Sequence, residues 1–155
     1  MKSTLMLIVC LFLIKTNCYS QQTTNELENI NKERIISISF FSGGGKWSGT
    51  TKLKITADSV IFYSVKHKLK SKDWETRSIK EKTIYKTWIA ITNNVDLNIF
   101  KNLKDGENRN QLDLPDTGIT VQTSEKTYSH IIDESNYESI KALMVTLENE
   151  IKRFG

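Results

Sequence analysis

Alternation of apolar and polar positions organises most of the chain after its first thirty-odd residues. Ile36, Ile38 and Phe40 alternate with Ser37 and Ser39, which predicts a strand over 35–41 with one apolar face. Four glycines then fall between Gly43 and Gly49, a composition suited to a turn or bulge. Leu53 and Ile55 against Lys52 and Lys54 predict a second strand over 51–55. Val60 to Val65 predicts a third, apolar on both faces, which would make it central and partly covered by a helix. The segment 35–65 therefore reads as an antiparallel meander at the centre of a sheet.

Two more strands are expected, over 74–79 and 83–91. In the second, Tyr85, Thr87, Ile89 and Ile91 take one face and Ile84, Trp88 and Ala90 the other. A short helix follows over 94–104, capped by Asn94, with Val95, Ile99 and Leu103 recurring every four residues. The polar stretch 105–118 holds the one proline, Pro115, and reads as a long loop. ITVQT (119–123) and TYSHII (127–132) predict a last hairpin. Ser135 and Glu138 have capping-box spacing ahead of a C-terminal helix. Its apolar stripe is Tyr137, Ile140, Met144, Leu147, Ile151 and Phe154. The predicted class is α+β: a mostly antiparallel sheet of about seven strands, a short helix after strand five, and a long C-terminal helix packed on the sheet.

The N-terminus changes what must be counted. Lys2 precedes the apolar run Leu5–Ile14, and Cys18-Tyr19-Ser20 supplies small residues before Gln21, the pattern of an export signal over 1–20. The run is half the length of a membrane-spanning helix, so no transmembrane segment is expected in the mature chain. A lipid anchor at Cys18 is the minor alternative, because Asn17 and Lys15 stand where a lipoprotein signal has small and aliphatic residues. A polar leader over 21–34 then precedes a single domain over 35–155. Cys10 and Cys18 both leave with the signal, so the mature protein has no disulfide, which fits a periplasmic or secreted bacterial protein. The formal charge of +4 also falls, since Lys2 and Lys15 leave. So small a balance gives no reason to expect a nucleic-acid partner.

Candidate chemistry is sparse. FSGGGKWSGT (41–50) departs from the phosphate-loop spacing and joins two strands, so the dinucleotide reading also fails. Its functional reading is a binding edge of Gly43, Gly44 and Gly45 beside Trp47. The two histidines, His67 and His130, are far apart, and no metal site or cofactor is expected. Asp105, Glu107, Asp113 and Asp116 do not follow calcium-loop spacing. For catalysis the residues to test are His130, Asp116 and Asp133, as a metal-independent hydrolase, although no G-x-S-x-G elbow occurs. Bases dominate between Lys66 and Lys86, with Lys66, Lys68 and Lys70 on alternate positions near Trp74, and acids dominate between Asp105 and Glu138. A basic hairpin of this kind suits an anionic glycan, a membrane surface or an acidic protein. It also protects a strand edge from aggregation.

With its signal, its lysine- and asparagine-rich composition and the loop from Ser42 to Gly49, the chain resembles small exported proteins of unknown function from Bacteroidetes-type bacteria. That resemblance brings no catalytic residues. The reading is a non-enzymatic binding or interaction protein of the envelope or extracellular space. The alternatives are the small hydrolase, a carrier of an apolar ligand enclosed by the curved sheet, and an inhibitor or immunity-type protein.

Overall fold

A computed structural model describes residues 33–44, 49–67, 73–108 and 115–155. The signal, nearly all of the leader, Trp47, Gly45, Lys68 and Lys70 lie outside the described residues. Arg34–Gly155 forms one unit. Its strands are β1 (Ile35–Gly43), β2 (Thr50–Thr56), β3 (Ser59–His67), β4 (Trp74–Lys82), β5 (Asp116–Thr123) and β6 (Thr127–Ile132). They pair antiparallel in one sheet of order β4-β3-β2-β1-β5-β6. Helices α1 (Tyr85–Asn93) and α2 (Leu97–Lys101) connect β4 to β5. After β6 comes a 3-10 turn (Tyr137–Ile140) that leads into α3 (Lys141–Phe154). The architecture is α+β, as the pattern implied, with six described strands.

One face of the sheet holds the core. Ile38, Phe40, Leu53, Ile55, Phe62, Ile119 and Val121 are buried there against Trp88, Ile91, Phe100, Leu143, Met144 and Leu147 from the helices. Burying one such side chain is worth about 1.5–3 kcal/mol, so this face supplies most of the stability. Phe154 closes one end by stacking on Phe62 at 5.2 Å between ring centres. Arg153 lies over the Phe154 ring and pairs with Glu81 of β4.

Several expectations are corrected. The fifth expected strand, 83–91, is instead a helix over Tyr85–Asn93. Thr83 is buried and ties back to the β2–β3 turn, its N–H donating to Asp58 O and its hydroxyl to Thr56 O. That anchor removes the chain from the hairpin path. Trp88 and Ile91, three apart, then reach the core as a helical pair while Ile84 and Tyr85 stay exposed. The β-branched and aromatic composition that suggested a strand yields here to tertiary packing.

The next helix is shorter than predicted and starts later. Asp96 is its cap, accepting from the backbone N–H of Asn98 and Ile99. Phe100 is its buried residue, and Ile99 faces out. Ile36 is also exposed, because a register irregularity between Ile35 and Ser37 turns it away from Ile38.

Strand β3 has one buried face, with Ile61 38% exposed on the other. The centre of the sheet is β2 and β1. The capping box is absent: Ser135 donates its hydroxyl to Asp133 Oδ1, and Glu138 pairs with Lys141. Asn136 does the joining, accepting from Asp133 N–H and donating to the carbonyls of Lys104 and Ile131. No helix among the described residues is long and apolar enough to cross a membrane.

Candidate functional site: the open face of the sheet

No described element packs on the second face of the sheet. Strand register decides what it presents, because directly opposed residues share a face. One row across the strands reads Phe41, Lys52, Tyr63, Ser78 from β1 to β4. The next row reads Ser39, Lys54, Ile61, Lys80. Lys82 stands opposite Ser59 in a third. Lys52, Lys54, Lys80 and Lys82 are exposed, and Phe41 and Tyr63 are half-buried.

Two regularities follow. Apolar or aromatic residues (Phe41 on β1, Ile61 and Tyr63 on β3) alternate across the strands with lysines (Lys52 and Lys54 on β2, Lys80 on β4), with Ser39 and Ser78 at the outer ends of the two rows. In addition, β1–β4 place no carboxylate on this face. Glu75 and Glu81 project to the other side, opposite Lys66 and Val60. The Lys52 ammonium lies 5.8 Å from the Phe41 ring centre, a cation over an aromatic plane. Trp74 sits at the end of the same face, half-exposed, edge-on to His67 at 5.1 Å.

Toward β5 and β6 the character reverses. Gly118 lies between Phe41 and Ile131 on this face and leaves a gap, the floor of a cleft of about 370 Å³. Ser39, Thr120 and Ser129 border it, the last two joined at 2.9 Å, with the exposed Asp105 and Asn108 and the buried Asp116 also in its lining. A Cβ at Gly118 would meet only His130 O, at 3.5 Å, so a small side chain fits there without clash. The open face is therefore cationic over β2–β4 and bordered by carboxylates over β5.

Among the sequence-derived catalytic candidates, His130 and Asp116 border the same cleft. The His130 side chain nevertheless shares the covered face with Ile119, its partner across β5 and β6. It packs edge-on against Phe100 at 5.0 Å. Its Nδ1 is 3.2 Å from Asp105 Oδ1, and its Nε2 is buried with no hydrogen-bond partner. One ring nitrogen is thus occupied and the other sealed from the cleft.

Asp133 serves the backbone. Its carboxylate accepts from the Ser135 hydroxyl and from the N–H groups of Glu107 and Ser135, which hold its pKa down to about 2. Gly106 permits that approach, since a Cβ there would lie 2.7 Å from the Asp133 carboxyl carbon. Among the described residues no group of three His, Cys, Asp or Glu side chains could hold a metal ion.

The binding candidates separate as well. Gly43 is buried with φ 154°, and a Cβ would crowd Gly49 O and Thr50, so its role in the loop is a close backbone passage. Gly44, exposed, also has a positive φ of 108°. Lys66 lies on the face opposite the lysine rows, its ammonium beside Gly155 at the end of α3, where a cation suits the helix dipole. Comparison with known proteins finds no family model and no curated protein that matches the chain. The site therefore has to be read from its own geometry. Sequence reasoning placed Lys52 and Lys54 outward but missed their neighbours Tyr63 and Lys80, because period-two patterning gives a face within a strand and not the register between strands.

Proposed function

We propose that this chain is an exported, non-enzymatic binding domain that takes an anionic partner on the open face of its sheet. The observation that carries the reading is the one-signed face of β1–β4: four exposed lysines, interleaved with Phe41, Ile61 and Tyr63, and no carboxylate. A surface of one sign raises the local concentration of opposite charges and orients their approach. Export rests on the signal pattern of the first twenty residues, and a periplasmic or secreted location follows from it. The sealed Nε2 of His130 argues for binding over hydrolysis. The filled core argues against an apolar carrier.

The test uses matched charge. Lys54→Glu with Lys80→Glu reverses two charges on the open face; Lys101→Glu with Lys141→Glu makes the same change on the helices. On a carboxylated polyanion matrix the open-face variant should elute at clearly lower salt, while the helix variant stays close to the parent. Equal losses in both would reduce the reading to net charge and overturn it.

A further inference from the structure

We infer that the anionic partner is a linear acidic polysaccharide, an extended (1→4)-linked uronic-acid chain lying across the strands from β1 to β4; this inference rests on the anion-binding reading above. Neighbouring strands are about 4.8 Å apart, close to the advance of one hexose ring in an extended chain. Each ring would therefore meet one strand. The lysines stand on alternate strands, β2 and β4, about 10 Å apart. In a two-fold extended chain successive carboxylates point to opposite sides, so every second ring turns its carboxylate toward the same surface. That repeat matches Lys54 to Lys80, with Ile61 between them.

The intervening positions fit the sugar rings. The exposed Ile61 and half-buried Tyr63 on β3, and the half-buried Phe41 on β1, offer apolar surface for the C–H faces of a pyranose. A bare polyanion such as polyphosphate has nothing to place there. A fluid anionic lipid surface has no fixed repeat to match. The track also has an end. Beyond β1 the cleft at Gly118 is lined by the exposed carboxylate of Asp105, which repels a carboxylate, so the bound segment spans about four rings, one per strand.

The experiment titrates the protein with β-(1→4)-linked oligouronates of two to eight rings, followed by calorimetry. A neutral (1→4)-linked hexose oligomer, polyphosphate, a single-stranded oligonucleotide and anionic-lipid vesicles are the comparisons. Affinity should rise with length and level off near four rings. It should fall at least about tenfold in Lys54→Glu. Tyr63→Ala and Ile61→Ser, both surface changes checked by thermal unfolding, should weaken oligouronate several-fold and leave polyphosphate unchanged. Polyphosphate binding as tightly as oligouronate, with Tyr63→Ala harmless to both, would overturn the saccharide inference and leave anion binding standing. Tighter binding of the oligonucleotide or the vesicles would replace the polysaccharide with that partner. Failure of every polyanion to bind would remove both readings together.

Discussion

The two faces of this one sheet are built to opposite rules. On the covered side every strand contributes apolar side chains that meet the helices, and Ile38, Ile55, Ile91, Ile119, Val121 and Leu147 have no solvent exposure at all. On the open side the same strands present Lys52, Lys54, Ile61, Tyr63 and Lys80, with no described element above them. One face fixes the fold, and the other is spared that task. A residue there can be exchanged without disturbing the core, which leaves it free to serve recognition.

Substitutions grade that contrast. The largest effect belongs to the covered face: Phe62→Ala removes a fully buried ring stacked on Phe154 and should cost about 4 kcal/mol in urea unfolding. Next comes the joint between the sheet and α3. Asn136→Ala takes these bonds from the Lys104 carbonyl and the Asp133 N–H and leaves the Ile131 carbonyl with Gly106 N–H alone, and should cost about 2–3 kcal/mol by the same measurement.

Acid probes the same joint. The Asp133 pKa is lowered in the folded protein from 3.8 to about 2, so its stabilisation is present above pH 3.8 and is lost as pH falls through about 2. Asp133→Asn should flatten the dependence of unfolding on pH within that window. A parent and variant with identical acid profiles would show that the carboxylate contributes nothing there. The smallest effect is expected on the open face. Tyr63→Ala and Lys54→Glu should each change stability by no more than about 0.5–1 kcal/mol. Losses there as large as that of Phe62→Ala would erase the distinction between the faces.

What could be read in advance follows the range of the interactions. Helix α3 was legible because Ile140, Met144 and Leu147 repeat locally, and the meander was legible because β1, β2 and β3 are sequential hairpins. The join of β1 to β5, across 85 residues at Ser37 and Gln122, carries no local signal. Helix α1 was misread because nine residues rich in Thr, Ile, Tyr and Trp fit either period, and the deciding bonds of Thr83 lie 27 residues back at Thr56. The lysine–aromatic interleaving is likewise a product of register. Asp105 was weighed only as a calcium-loop acid and Asn136 not at all, because their partners are brought near only by the finished fold.

Asp105 and Gly106 have a wider consequence through the backbone they touch. Ile131 of β6 donates its N–H to the Asp105 carboxylate and accepts from the N–H of Gly106 with its carbonyl, so that side of the sheet is already occupied there. On the far side of β4 no described strand pairs. Recruitment of an extra strand is therefore directional. A second copy joining through β4 would leave β6 at each outer end, where Ile131 has no backbone group left to offer, so a further strand is hindered at that position.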